Sequence, residues 1–284
     1  MPIGNVFEKI NSEYYQLTAA EKKVADYAVL HRRRTQYMSI SELAEEAGVA
    51  EATVSRFCRR LGYKGYNAFK LAVANSTASR EERSPLSGEV LPGDSIGDLC
   101  QKLCSASREA LQQTLDLIRP EQVRMAADLL ARAGKVLCMG QGGSMLLAHE
   151  AAHLFSTALP NYYAVGDTHL QAMAICQMAP GDAVLYFSYS GSTRELAENL
   201  RLVRQRRGRS VLITRFPKSP GGVYADVVLQ CGSTEGPIQG GSVAARVAQL
   251  FLLDVLFSEV CRRDLEGCLR RRAEVAEVIS NLHL

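Results

Sequence analysis

The sequence SYSGST at residues 188–193 decides the fold of the larger part of this chain. It follows an apolar run at residues 183–187 that is typical of a buried strand, and it precedes residues 194–200, which have helical spacing. Hydroxyl side chains therefore crowd a strand-to-helix turn. The N–H groups at a helix N-terminus suit a phosphate, and Gly191 lets the backbone approach it closely. The alternative interpretation is a Ser/Thr-rich helix cap without a ligand.

A second turn of the same kind lies earlier in the chain. The sequence GQGGS at residues 140–144 follows a strand-like run at residues 135–139 and opens an apolar helix near Met145. It matches part of the dinucleotide-binding fingerprint, but Met145 replaces the third glycine and no acidic residue ends a strand about twenty residues on. Two such turns favour a small phosphorylated ligand over NAD, so we expect no cofactor.

With both turns in order, residues from about 98 to 264 resemble a sugar isomerase (SIS) domain. The resemblance implies a doubly wound α/β fold with a parallel sheet that binds phosphosugars. In that family the serine ending the first turn and the two serines and the threonine of an S-x-S-G-x-T turn hold the phosphate, which here implies Ser144, Ser188, Ser190 and Thr193. The predicted phosphate site comprises Gly142, Gly143, Ser144, Ser188, Ser190, Gly191, Ser192 and Thr193.

The sequence before residue 78 predicts helices throughout. Thr18 and Glu21 form a capping box at the start of one helix. A short helix is expected to start at Ser41 and to stop at Gly48, where glycine can take the left-handed conformation. A second helix follows at residues 51–61. This spacing is typical of a helix-turn-helix.

Charge in this segment is localised. The whole chain carries a net charge of only +3, yet residues 52–70 contain several basic side chains and no acidic one. A basic second helix is what the phosphates along a DNA groove require, although a charge run can also be the solvated face of a helix bundle. The predicted DNA-binding residues are Thr53, Ser55, Arg56, Arg59, Arg60, Lys64, Gly65 and Tyr66.

Residues 17–70 resemble the N-terminal domain of RpiR/MurR-type bacterial transcriptional regulators, on the segments 41–49 and 51–66. That family joins this domain to an SIS domain, which is the order found here. One departure is Ala50, where the family usually has a serine that caps the following helix. The resemblance implies a regulator whose partners are double-stranded operator DNA, a phosphorylated sugar or sugar acid, and further copies of itself in a homodimer or homotetramer.

The expected domain organisation follows from composition. We predict a helical domain at residues 1–78, a polar linker at 79–97, the SIS domain at 98–264 and a C-terminal helix at 265–284. That last helix carries an apolar stripe that supports oligomerisation or packs onto the core, formed by Val275, Val278, Ile279 and Leu282. The sequence contains neither a secretion signal nor a run of eighteen apolar residues, so we expect a cytoplasmic protein without membrane contact.

Three other interpretations compete with this one. A phosphosugar isomerase would need a base, and the candidates are Glu150, His153, His169, Glu195 and Glu235. Asp167, His169 and Glu235 fall at turns after strand-like segments, where doubly wound sheets bind ligands, so we interpret them as sugar contacts. An isomerase would not need the basic helix-turn-helix, whereas a regulator needs both parts. The sequence HEAAH at residues 149–153 matches a zinc-protease helix but has no suitable third ligand nearby.

Cys100 and Cys104 lie one helical turn apart, which could suit a metal or a redox role, yet such cysteines are more often small core residues. We therefore predict no catalytic residue, no metal site and no enzyme activity.

Overall fold

The computed structural model of the chain describes residues 6–77, 90–91, 93–233 and 242–282. Glu235 and most of the predicted linker at residues 79–97 lie outside them. The chain divides into two compact units. The first contains the chain up to Arg108, and the second contains most of the chain from Glu109 onward.

The N-terminal unit is helical. Its helices are α1 (Val6–Glu13), α2 (Ala19–Leu30), α3 (Arg32–Thr35), α4 (Ile40–Glu46), α5 (Glu51–Arg60) and α6 (Tyr66–Thr77), with a short 3₁₀ turn at Tyr14–Gln16. Side-chain caps fix where two of them begin. The predicted capping box of Thr18 with Glu21 is confirmed at α2. A second capping box, Ser39 with Glu42, starts α4 one residue before the predicted Ser41.

The predicted helix-turn-helix is confirmed in α4 and α5. Gly48 adopts a φ of 62°, and the N–H of Val49 donates to the carbonyl of Ala44 at 2.9 Å, which ends α4 with a left-handed cap. Val54 and Phe57 are fully buried, as their spacing predicts. The two helices therefore pack on one apolar core, and the remaining face of α5 is free to meet a partner.

The second unit is a doubly wound α/β domain, as predicted. Its elements are α7 (Ile96–Leu117, entering from the first unit), α8 (Pro120–Ala131), β1 (Val136–Gly140), α9 (Gly143–Ser156), β2 (Tyr162–Ala164), α10 (Thr168–Cys176), β3 (Ala183–Phe187), α11 (Arg194–Gln205), β4 (Arg209–Thr214), β5 (Val227–Gln230), α12 (Val243–Cys261), a 3₁₀ turn (Arg262–Asp264) and α13 (Leu265–Ser280). The described strands form one parallel sheet in the order β2-β1-β3-β4-β5.

The sheet is buried on both faces, which explains why its strands are continuous apolar runs. On one face Leu137 and Tyr186 lie in a cluster with Leu200 of α11. On the other face Phe155 of α9 stacks on Tyr162 of β2, with ring centroids 4.0 Å apart. Helices cover both faces, so only the sheet edges and strand ends are left for a ligand.

Helix α13 does not bury its predicted stripe in this chain. Val275, Val278, Ile279 and Leu282 are all exposed, whereas Gly267 and Cys268 are buried. The expectation that the stripe packs onto the chain's own core is therefore wrong. Within the described ranges, no helix is both long and apolar enough to span a bilayer.

We expect Gly140→Ala to lower the free energy of unfolding by about 1–3 kcal/mol, because the added Cβ would stand 2.6 Å from the carbonyl oxygen of Ser144. Thermal unfolding of the full chain measures this. The matched control is Gly143→Ala in the same turn, where the nearest atom to the new Cβ is 3.7 Å away, at the end of the Arg246 side chain. Equal melting temperatures for the two variants would contradict the close packing of α9 on β1.

Candidate functional site

The two hydroxyl-bearing turns meet at one edge of the sheet. Strands β1 and β3 are parallel neighbours, and their last residues, Gly140 and Phe187, are paired. Because the chain leaves both strands at the same end, the turns that follow them lie side by side. The strand order reverses between β1 and β3, and ligands of doubly wound sheets bind at that switch point. The sheet topology therefore brings together the two segments that the sequence assigns to phosphate.

The first turn depends on glycine at two positions. Gly140 allows α9 to start directly above the strand end, and Gly142, the N-cap of α9, has a φ of 53° and a ψ of −126° that suit glycine alone. Half-buried Ser144 lies in the first turn of α9. The guanidinium of Arg246, on α12, lies within 3.7 Å of the position that a Cβ on Gly143 would occupy. This cation beside the turn could not be inferred from the sequence, because α12 is distant along the chain.

The second turn arranges its hydroxyl groups through its own backbone. Gly191 has a φ of 60°, and its N–H donates to Ser188 Oγ at 3.2 Å. The N–H of Ser192 donates to Ser190 Oγ at 3.3 Å. Both serine oxygens act as acceptors in these bonds, so each hydroxyl keeps its own proton to donate. A phosphate needs donors of this kind.

Thr193 separates the two interpretations of this turn. It is the N-cap of α11, with φ −74° and ψ 144°, yet its side chain accepts no capping hydrogen bond. Its Oγ1 is buried and has no partner among the described residues. An ordinary Ser/Thr cap accepts an N–H from the first turn of the helix. The Thr193 side chain therefore does not act as an ordinary cap, and leaving its buried hydroxyl without a partner is costly.

The predicted sugar contacts are only partly placed. Asp167 is the N-cap of α10, and its carboxylate accepts from the N–H groups of His169 and Leu170 at 2.9 and 3.0 Å. Asp167 therefore caps α10, a structural role that the sequence did not predict. The side chain of His169 is exposed and accessible to solvent.

A buried polar cluster below the turns was missed at the sequence level. Gln171 of α10 is fully buried and bonds to Gln141 of the first turn and to Asn199 of α11, at 2.8 and 3.0 Å. Tyr186 of β3 donates to Gln141 Oε1 at 2.7 Å. These residues come from separate elements and show no common spacing in the sequence, so only the fold reveals them.

The candidate DNA interface is the outer face of α5 and the turn after it. Arg56, Arg59 and Lys64 are exposed, and Ser55 and Gly65 are half-buried. These residues share one side of the helix-turn-helix because the apolar positions of α5 face the core.

Three other predicted DNA-binding residues have partners within the unit. Thr53 is buried and its hydroxyl accepts from Arg56 at 3.1 Å. Tyr66 donates its hydroxyl to the carbonyl of Met38 at 2.9 Å, and burial raises its pKa well above the usual value. These side-chain bonds hold the motif together.

Arg60 is tied to the same unit. Its guanidinium donates to the Glu21 carboxylate at 3.3 Å and to the carbonyl of Gln16 at 3.1 Å. Burial raises the pKa of Glu21, but the hydrogen bonds from Thr18 and the charge of Arg60 outweigh burial and hold that pKa below its usual value. Arg60 therefore anchors α5 to α2.

The competing metal and redox interpretations gain no support. His149, Glu150 and His153 are exposed on α9, and within the part of the chain that the structure describes no cluster of three metal-ligating side chains occurs. Cys100 and Cys104 are exposed rather than in the core, against expectation. Burial raises the pKa of the Cys58 and Cys138 thiols to about 12, so those two are unreactive core residues.

Comparison with known proteins agrees with this architecture. Residues 4–80 match the model of the helix-turn-helix domain of the rpiR family, and residues 129–259 match the SIS domain. The class is thus that of helix-turn-helix transcriptional regulators with an SIS domain. The chain belongs to the rpiR family.

Individual relatives cover nearly the whole chain. A helix-turn-helix transcriptional regulator of Haemophilus influenzae is 31% identical over 97% of this chain and 96% of its own length. The regulator HexR of Pseudomonas aeruginosa is 32% identical over 95% of each chain. The structure of Vibrio vulnificus NanR complexed with ManNAc-6P matches with a TM-score of 0.86 and 28% identity, covering 99% of this chain and all of that chain.

We expect Ala50→Ser to stabilise the helix-turn-helix by about 1 kcal/mol. Ala50 is the N-cap of α5, has the extended backbone of a cap and makes no side-chain bond, so a serine would supply one. Thermal unfolding measures the change. The control is Ala52→Ser on the exposed face of the same helix, where serine provides no cap and is expected to lower stability slightly. If Ala50→Ser also lowered stability, residue 50 would not be the cap.

Proposed function

We propose that this regulator binds a phosphorylated sugar or sugar acid at the two turns and that binding changes its affinity for operator DNA. The observation that carries the proposal is the buried, unpartnered Oγ1 of Thr193 beside two serine hydroxyls that can donate. The guanidinium of Arg246 next to the first turn adds positive charge that suits an anion. NanR, a structural relative, is solved in complex with ManNAc-6P, which supports this ligand class.

The phosphate is assigned to the hydroxyls of Ser144, Ser188, Ser190 and Thr193, and to the backbone of the turns. Helix N-termini at both turns add their N–H groups, which favour an anion. Gly142, Gly143, Gly191 and Ser192 let the backbone come near the ligand. The sugar would lie toward the exposed His169.

The DNA-binding part of the proposal places α5 in the major groove of an operator. Arg56 and Arg59 of α5 and Lys64 of the turn after it are exposed cations, and Ser55 and Gly65 are near them in the sequence. Cations on one face satisfy the electrostatic requirement of a phosphate-lined groove. Thr53, Arg60 and Tyr66 are assigned to holding that face in place. An operator as partner sets the proposed site of action in the cytoplasm.

We further propose a homodimer or homotetramer, because a two-fold protein matches a palindromic operator. The exposed apolar stripe of α13 supports this. The proposed organisation remains a DNA-binding domain at residues 1–78, a linker at 79–97, a sensor domain at 98–264 and the C-terminal helix at 265–284. Ligand and DNA would then be linked reciprocally, since whatever factor the ligand imposes on DNA affinity, DNA imposes on ligand affinity.

A sensor without catalytic activity fits better than an isomerase. The relatives from Haemophilus influenzae and Pseudomonas aeruginosa are named as transcriptional regulators, and the carboxylate of Asp167 is engaged in capping α10. Glu150, His153 and Glu195 are exposed side chains. Turnover of any sugar phosphate that binds the protein would overturn this part of the proposal.

Arg56→Ala and Arg59→Ala are each expected to weaken operator binding by about 1–3 kcal/mol while leaving sugar-phosphate binding unchanged. The operator is first selected from genomic DNA with the wild-type protein, and affinities are then measured by fluorescence anisotropy at fixed salt. Arg201→Ala, an exposed arginine on α11, is the control with the same loss of charge. Wild-type affinity in both α5 variants would contradict the interface.

The double variant Ser190→Ala/Thr193→Ala is expected to abolish the melting-temperature rise caused by a phosphorylated sugar. Each lost bond to a charged phosphate is worth about 1.5–3 kcal/mol. DNA binding without effector stays intact. The control is Ser156→Ala/Thr157→Ala, the same two substitutions at the far end of α9, where both hydroxyls only cap backbone carbonyls. A normal response of the Ser190/Thr193 variant would remove this turn from the site.

A further inference from the structure

Four uncharged polar side chains form a connected network directly below the two turns. We call Gln141, Gln171, Tyr186 and Asn199 the amide–tyrosine network. Gln171, Tyr186 and Asn199 are buried, and Gln141 is half-buried. Nothing in the phosphate-binding proposal uses these residues, although burying so many polar groups is costly unless their bonds are complete.

The bonds of Gln171 are complete. Its Nε2 donates to the carbonyls of Gly140 and Val165, at 3.0 and 2.9 Å. Its Oε1 accepts from Gln141 Nε2 at 2.8 Å and from Asn199 Nδ2 at 3.0 Å. Two donors and two acceptor positions are thus filled, which fixes the amide in one orientation.

Tyr186 closes the network from the strand. Its hydroxyl donates to Gln141 Oε1 at 2.7 Å and lies 3.4 Å from Asn199 Nδ2. Burial raises the pKa of Tyr186, which keeps the hydroxyl protonated and able to donate. The side chain of Gln141 is therefore held at both its oxygen and its nitrogen.

Each of the four residues belongs to a segment that forms the candidate site or adjoins it. Gln141 belongs to the first turn, and Tyr186 lies two residues before Ser188 of the second turn. Asn199 is on α11, which starts at the second turn, and Gln171 is on α10, which is capped by Asp167. Among the described residues, the side-chain hydrogen bonds of this network join these segments beneath the edge of the sheet at which the two turns lie.

We propose that the amide–tyrosine network consists of positioning residues that hold the first turn in its phosphate-binding conformation before any ligand arrives. A preformed site binds more tightly, because ligand binding then does not have to order the turn. The expected effect of the network on phosphate affinity rests on the proposed function. The effect of the network on the conformation of the first turn can be measured without a ligand.

The test variant is Tyr186→Phe, which removes the donor to Gln141 and keeps the ring in the core. Tyr162→Phe is the matched control, because Tyr162 is a buried tyrosine of strand β2 in the same sheet, and its hydroxyl has no partner among the described residues. Amide hydrogen exchange across residues 141–147 is measured by mass spectrometry in the ligand-free full chain. We expect exchange about threefold to tenfold faster in Tyr186→Phe and unchanged in Tyr162→Phe.

A second variant, Gln141→Ala, removes the link from the turn side and should give the same acceleration. Unchanged exchange in both Tyr186→Phe and Gln141→Ala would overturn the proposal, and so would equal acceleration in the Tyr162→Phe control, which would indicate general loosening. Melting temperatures of all variants show whether a faster exchange is local to the turn.

The effect on the site is measured with inorganic phosphate as the probe. We expect phosphate to slow exchange at residues 141–147 of the wild type, and Tyr186→Phe to raise the half-saturating phosphate concentration about threefold to tenfold. If the wild type shows no protection by phosphate, the proposed function fails while the ligand-free exchange still decides the positioning role. Equal half-saturating concentrations in the wild type and Tyr186→Phe would overturn the positioning role alone.

Discussion

The parallel pairing of β1 with β3 is the constraint on which the candidate site depends. This pairing puts the ends of the two strands at the same edge and lets the chain leave them in the same direction. The glycine-rich turn after β1 and the hydroxyl-rich turn after β3 are separated by more than forty residues in the sequence, yet they meet there. An antiparallel or non-adjacent arrangement would leave each turn as an isolated helix cap. The topology thus converts two weak local signals into one site.

Backbone geometry and a buried amide shape the candidate site. Gly140 lets α9 begin against the strand end, Gly191 turns the backbone within the second loop, and the buried amide of Gln171 donates to the carbonyl of Gly140. The hydroxyl groups add donors without adding charge. Oγ1 of Thr193 is buried at the start of α11 and has no partner among the described residues. The proposed phosphate would give this hydroxyl a partner.

The sequence predicted much of the fold because the decisive signals are local. The apolar run at 183–187 is the exact extent of β3, and the capping box of Thr18 with Glu21 starts α2 where expected. The assignments that did not follow from the sequence depend on tertiary contacts. Arg60 binds Glu21 from another helix, and Gln171 bonds to residues of other elements. Residue type and spacing cannot show which polar side chain faces outward and which one completes a buried network.

A thermal-shift screen of the full chain is the direct test of whether this protein senses a phosphorylated sugar. Phosphorylated sugars and sugar acids are compared with their unphosphorylated counterparts. A ligand that binds only the folded state raises the melting temperature by mass action. We expect a rise in melting temperature with at least one phosphorylated compound and none with its unphosphorylated form. No rise with any phosphosugar, or equal rises for both forms, would contradict this expectation.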